Sequence, residues 1–257
     1  MEIDLSGRVA LVTGGSRGIG SAIARALHGC GASVYFTYVA ERKRAEDLAR
    51  ELGARVATAH CDVADGAALP ALVDDCVNRF GGLDVLVNNA AIFVENPFDG
   101  DDYARWRDGW QRTFAVNVFG AADLTYLALR RMRAAPPGPY GVRGRIINIA
   151  SRAGHRGELS LADYGASKAA LINLTKSLAR ACARDGIVAF SVAPGFIETD
   201  MAQGDLSRRR AEVEAEIPSG RIGTPEEVAS IVAFLASGLG DYANGTTIDV
   251  NGASYVR

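Results

Sequence analysis

The chain has 257 residues, 28 basic against 30 acidic side chains, a net charge of −2 and an isoelectric point near 6.0. That balance gives no global field for nucleic acid or an anionic membrane. No apolar stretch approaches the ~18 residues that cross a bilayer. The acidic opening MEIDLSGRVALVTGG is unlike a secretory signal, so a cytoplasmic protein is expected. The length suits one α/β domain over residues 1–257, which at this size buries roughly 70% of the surface of its unfolded chain. Cys30, Cys61, Cys76 and Cys182 are widely spaced, and His28, His60 and His155 form no ligand pattern with them, so reduced, packed thiols and no metal are expected.

RVALVTGG begins as a near-continuous apolar run, the signature of a parallel strand buried on both faces. Thr13-Gly14-Gly15-Ser16-Arg17-Gly18-Ile19-Gly20 follows, and SAIARALHGCG continues with helical periodicity. Strand, glycine turn and helix in that order make either an ordinary turn or a diphosphate cradle, in which glycines let the backbone approach and the helix N-terminus favours negative charge. The second strand, ASVYFTYV, should end near Tyr38, where an acid would hold the ribose hydroxyls of NAD. None stands there, and Arg17 and Arg42 are near, so NADP(H) is favoured over NAD(H). ERKRAEDLARELG reads as an exposed helix.

RVATAHCDV is a third strand ending at Asp62-Val63; Asp62 either accepts from an adenine amine or caps the next helix. Helix GAALPALVDDCVNRFG leads to strand LDVLVNNAA, whose Asn88 and Asn89 need buried partners and so tie structure together rather than touch substrate. Strand and helix alternate throughout, which predicts a doubly wound parallel sheet with helices on both faces. WRDGWQRTFAVNVFGAADLTYLALRRMR reads as one helix, with Asn117 interrupting its apolar face as a kink, a satisfied amide or a functional group. AAPPGPYGVRG is a surface turn before strand RIINIA.

Ser151 closes that strand, and Tyr164 and Lys168 stand four apart where YGASKAALINLTKSLARACA opens a helix, which stacks them one turn apart. A phenol titrates near pH ~10. An adjacent ammonium would lower that value and suit Tyr164 to acid–base work, with Ser151 donating to an oxygen that gains charge. On spacing alone a solvated lysine beside a half-buried tyrosine is the commoner explanation of such a pair. IVAFSVAPGF is a further buried strand ending at Pro194-Gly195, and the charged segment from about 196 to 220 is a candidate substrate lid, in which Arg208, Arg209 and Arg210 face Glu212, Glu214 and Glu216 on a solvated helix. TPEEVASIVAFLAS is a helix capped by Thr224 and Glu227, and TTIDVNG is the last strand.

In order and spacing these motifs resemble the short-chain dehydrogenase/reductase family over nearly the whole chain, from Val9 to Gly252. The resemblance implies a Rossmann-type domain and an oxidoreductase. It also implies a cofactor site at Gly14, Ser16, Arg17, Gly18, Ile19, Gly20, Tyr38, Asp62, Val63, Asn89, Ala90, Pro194, Gly195, Ile197 and Thr199, with Tyr164 and Lys168 completing it. Its catalytic four fall on Asn117, Ser151, Tyr164 and Lys168: Tyr164 as acid/base, Lys168 tuning it, Ser151 orienting the substrate oxygen, Asn117 supporting a water-linked relay. Ala91 departs from the family's usual glycine. GGSRGIG, VAPGFIETDM and IPSGRIGTPEEVAS look most like 3-oxoacyl-acyl-carrier-protein reductases, implying a small-molecule or acyl-thioester substrate and a homotetramer built through the helices holding Asn117 and Lys168. Sugar, polyol or other secondary-alcohol oxidation is the alternative within the family, and a dinucleotide-sensing protein without turnover is the alternative outside it. Arg130, Arg131, Arg133, Arg180 and Arg184 offer either a patch for an acidic carrier or solvated arginines, and His155, Arg156, Phe93 and Phe196 are candidate pocket residues.

Overall fold

A computed structural model of the protein describes residues 3–199 and 203–257, the side chains of 203–208 excepted. The strands are β1 Val9–Val12, β2 Ser33–Tyr38, β3 Val56–His60, β4 Val85–Asn88, β5 Gly144–Ile149, β6 Ile187–Pro194 and β7 Thr247–Val250. They pair in one sheet of order β3-β2-β1-β4-β5-β6-β7, every pairing parallel. The chain leaves β1 first toward β2 and β3, then returns to β4 on its other side. That reversal opens a crevice above the carboxyl ends of β1 and β4, where ligands bind in open parallel sheets.

The apolar runs become strands because helices cover both faces, and successive side chains feed opposite cores. Val34 and Phe36 pack with Ile23 and Leu27 of α1 (Gly18–Gly29) and with Val228 and Val232 of the helix Pro225–Ser237. Tyr35 and Leu86 point the other way, toward Leu72, Leu124 and Ala179 of the helices Leu69–Phe80, Ala121–Ala134 and Ala162–Cys182. Among the described residues no helix is long and apolar enough to cross a membrane.

Two elements differ from expectation. The expected single helix around Asn117 is an α-helix over Tyr103–Phe114, a π segment over Ala115–Gly120 and a second α-helix over Ala121–Ala134. The π register admits one extra residue per turn, which periodicity cannot reveal. The helix carrying Lys168 starts at Ala162, not Tyr164, and in its first turn Asp163 Oδ1 accepts from Tyr164 N at 2.8 Å. The helix Leu69–Phe80 begins too late for Asp62 to cap it; Asp62 instead accepts from Ala64 N at 2.9 Å.

A polar seam crosses the middle of the sheet. Asn88 Nδ2 donates to Asn148 Oδ1 at 2.8 Å and to Thr125 Oγ1 at 3.1 Å, and Asn148 Nδ2 donates to Thr175 Oγ1 at 2.9 Å. These groups are buried, so each bond replaces one lost to water and fixes β4 and β5 against the helices on one face.

Candidate active site

The crevice is a cleft of about 890 Å³. The glycine turn forms one end. Gly14 and Gly18 hold φ of +63° and +52°, a conformation glycine adopts without a Cβ clash. At Gly20 a Cβ would lie 2.1 Å from Gly14 O and 2.6 Å from Asn89 Nδ2. Asn89 Nδ2 donates to the carbonyls of Thr13 and Gly14 at 2.8 and 3.1 Å, clamping the turn to the end of β4 as its sequence position suggested. The first turn of α1 carries no acid, so nothing offsets the helix's affinity for an anion.

Every expected cofactor residue lines this cleft: Gly14 through Gly20 except Gly15, Tyr38, Asp62, Val63, Asn89, Ala90, Pro194, Gly195, Ile197 and Thr199. Thr199 folds over the turn, its Cγ2 3.3 Å from where a Gly18 Cβ would stand. Arg17 is exposed on the rim and makes no ion pair among the described residues. Arg42 does not join it. Its Nε pairs with Glu46 at 2.7 Å along its own helix, and Glu41 occupies that part of the cleft wall instead. Ala91 also lines the cleft; the positive-φ non-glycine residues described are Tyr140 and Ala253, so the methyl sits without backbone strain.

Ser151, Tyr164 and Lys168 meet at the other end. Lys168 is 2% exposed; its Nζ donates to Ile149 O at 2.8 Å and lies 5.6 Å from the Tyr164 ring centre. Phe93 meets the same ring edge-on at 4.9 Å. Burial pushes the Tyr164 phenol up to about 12, against a downward pull from Ser151, and Glu158 adds to the rise. Burial brings the Lys168 amine down to about 7. The expected depression of the phenol by Lys168 is therefore not seen: the amine faces the end of β5, and desolvation dominates both groups.

Asn117 is the exception among the expected site residues, because it does not line the cleft. It is 1% exposed, accepts from Ile92 N at 2.8 Å, and donates to Ile92 O at 3.1 Å and Ser167 Oγ at 3.0 Å. The amide bolts the loop segment that follows β4 to the tyrosine-bearing helix, through a serine that itself donates to Tyr164 O at 2.7 Å. Asp163 is a second brace that spacing did not reveal. Its buried carboxylate accepts from Thr113 Oγ1 at 3.0 Å, Asn96 Nδ2 at 3.2 Å and Tyr164 N at 2.8 Å. A lone acid in a helix's first turn ordinarily reads as a solvated cap, and nothing local marks this one as buried.

The region expected as a lid, about 196–220, includes residues 200–202, which lie outside the described residues, as does the side chain of Arg208. Its helix Gln203–Ala215 brings Arg209 to the cleft, as does Glu216 just after it. The expected surface ion pairs form, Arg209 with Glu212 at 2.8 Å and Arg210 with Glu214 at 3.0 Å. Of the five arginines considered for an acidic partner, Arg131 pairs with Asp74 and Arg133 with Asp185, which leaves a weaker patch. His155, near Ser151 in sequence, turns away from the cleft and stacks on Tyr255 at 5.8 Å.

Residues 14–253 match a family model described as enoyl-(acyl carrier protein) reductase. The chain is 39% identical over 254 residues to the 3-oxoacyl-(acyl-carrier-protein) reductase of Escherichia coli strain K12, covering 99% of this chain and 100% of that protein. It is 37% identical over 258 residues to the protein of the same description from Aquifex aeolicus, again covering 99% and 100%. Among solved structures, one from Brucella melitensis described as a short-chain dehydrogenase/reductase, glucose/ribitol dehydrogenase, aligns over 100% of both chains at 33% identity with a TM-score of 0.90. A dehydrogenase/reductase from Sinorhizobium meliloti 1021 aligns over 99% and 98% at 35% identity with a TM-score of 0.88.

Proposed function

The chain belongs to the short-chain dehydrogenase/reductase family and is an oxidoreductase acting on C=O and CH–OH groups, and we propose that it is an NADP(H)-dependent reductase of a 3-oxoacyl thioester or a similar ketone. The observation that carries this reading is the convergence of Ser151, Tyr164 and Lys168 in the same cleft as the glycine turn. A dinucleotide fits that cleft: a Cβ at Gly20 would fill the cradle for its diphosphate, and the helix end behind it is free of acids. Gly14 to Gly20 and Asn89 would hold the diphosphate end, Asp62 and Val63 the adenine, and Pro194, Gly195, Ile197 and Thr199 the nicotinamide end, where the bound cofactor supplies the hydride. Support for NADP(H) comes from Arg17 on the rim, which has no ion pair among the described residues; Glu41, 3.7 Å from Arg44, is the opposing charge there.

In the reductive direction Ser151 donates to the carbonyl oxygen and Tyr164 delivers the proton that turns the developing alkoxide into an alcohol. A phenol held at about 12 stays protonated throughout the neutral range, so it is ready as an acid; alcohol oxidation requires it to lose that proton first. Lys168, its Nζ 5.6 Å from the centre of the Tyr164 ring, is the group assigned to resupply the proton. Asn117 serves as a positioning residue for Tyr164, since its side-chain amide is already bonded to Ile92 and Ser167. We assign a cytoplasmic location, supported by four free cysteines, and a homotetramer, supported by Phe119 and Tyr126, 60% and 64% exposed on the segments that follow Phe114.

The test is NADPH oxidation against acetoacetyl thioesters and a ketone panel, with NADH in parallel. Tyr164→Phe lowers turnover by about 10²–10⁴-fold while NADPH affinity stays within a few fold. Full activity in that variant refutes the assignment, and brisk alcohol oxidation with inert thioesters favours a sugar or polyol dehydrogenase.

A further inference from the structure

Arg152 directly follows Ser151 and was not singled out by its position in sequence. Two arginines are buried among the described residues, Arg145 at 4% and Arg152 at 6% exposure. Arg145 is satisfied, its Nε and Nη2 bonded to both oxygens of Asp241 at 2.8 and 2.6 Å. Arg152 is not. It has no ion pair among the described residues, and its Nη1 is sealed from solvent without an acceptor. The guanidinium lies over the Phe196 ring at 4.3 Å, an arrangement that holds the plane while leaving the N–H fork unspent. Both residues line the reaction cleft.

Burying an unpaired guanidinium is costly, and that cost is expected where an anion is to be received. The carboxylates on the same wall do not meet the need. Glu158 is paired with Arg156 Nε at 3.4 Å, and Glu158 and Glu216 both act on Arg152 through space without pairing with it. Arg152 and Ser151 line the same cleft, so an anion received by the guanidinium belongs to the molecule whose carbonyl is reduced there.

We propose that Arg152 is a specificity-determining residue that receives a carboxylate of the substrate, so that the preferred substrate is an oxo acid, or an oxoacyl chain bearing a free carboxylate. This rests on the reductase reading above.

The test compares oxo acids with their methyl esters, for example 4-oxopentanoate and 3-oxobutanoate, with acetoacetyl-N-acetylcysteamine as the neutral thioester, in wild type, Arg152→Met and Arg152→Lys. At least one acid exceeds its ester by 10-fold or more in kcat/KM in wild type. Arg152→Met lowers the acid's kcat/KM at least 10-fold more than the ester's, mainly through KM, and Arg152→Lys recovers part of the loss. Equal use of acid and ester in wild type, or equal losses in Arg152→Met, overturns the proposal and leaves Arg152 as packing for Phe196. Calorimetry of the same acids and esters with the NADP⁺-loaded protein reads the preference without turnover. Turnover with no acid preference in either assay removes the arginine assignment but keeps the reductase. Acid-selective binding that Arg152→Met abolishes, with no ketone reduced, removes the reductase but keeps the arginine, and absence of acid-selective binding removes it. Should Arg152→Met fail to fold, the wild-type comparison and Arg152→Lys decide.

Discussion

Lys168 gives the most demanding test of the site's electrostatics. Its amine is 2% exposed, donates to Ile149 O, and is brought from 10.5 to about 7 by burial. At pH 6 the folded chain therefore carries an ammonium whose burial costs about 5 kcal/mol relative to the unfolded chain. Lys168→Met keeps most of the volume and removes that cost, but leaves the Ile149 carbonyl unpaired, which costs about 1–3 kcal/mol. The variant should be more stable than wild type by about 2–4 kcal/mol at pH 6, although it is inactive. Between pH about 7 and 10.5 the unfolded chain keeps a proton that the folded chain has lost, so the Lys168 contribution to wild-type stability rises with pH. From pH 6 to 9 the gain is about 3 kcal/mol, and the advantage of the variant shrinks accordingly. Urea titrations of both proteins at pH 6, 7.5 and 9, at one protein concentration, measure the difference, and the other titrating groups cancel in it. A Lys168→Met protein less stable than wild type at pH 6, or a difference that does not change with pH, refutes this account of the buried amine.

Other consequences are simpler. Gly20→Ala drives a methyl against Gly14 O and Asn89 Nδ2, so it should cost about 1–3 kcal/mol and weaken NADPH binding at least 10-fold in a fluorescence titration; unchanged affinity would contradict the cradle. Arg145→Ala strands Asp241 without its partner, and a loss of about 3–5 kcal/mol is expected in chemical denaturation. Asp163→Ala releases Thr113, Asn96 and the Tyr164 N–H together, so kcat should fall with NADPH affinity retained and the pH profile of kcat displaced. A kcat equal to wild type would show that Asp163 does not position the tyrosine.

The strands were legible because a sheet covered on both faces needs unbroken apolar runs, and VALV, VLVN and IVAFSVAP have little else to do. The glycine turn was legible for the opposite reason, since Gly14 and Gly18 hold positive φ and Gly20 stands where a side chain cannot fit. What escaped notice depends on contacts far apart in sequence. Arg152 in a loop reads as solvated until Phe196 is seen beneath it, and Asp163 reads as a cap until Asn96 and Thr113 arrive from other elements. Arg42 was misread because charge near a strand end says nothing of direction, and its i+4 glutamate wins it. The π segment is a change of register inside an unbroken helical pattern, and Asn117's apolar neighbours look the same either way.

The Asn88–Asn148–Thr175 bonds have a consequence for how such an enzyme can change. They pin two adjacent strands at one height, and those strands lead into Asn89, which clamps the glycine turn, and into Ser151, which lines the same cleft. The spacing between nucleotide end and reaction end is thus set inside the sheet, well below the loops. Substitutions in the loop beyond Ser151 then reshape that part of the cleft without moving the frame that holds its two ends.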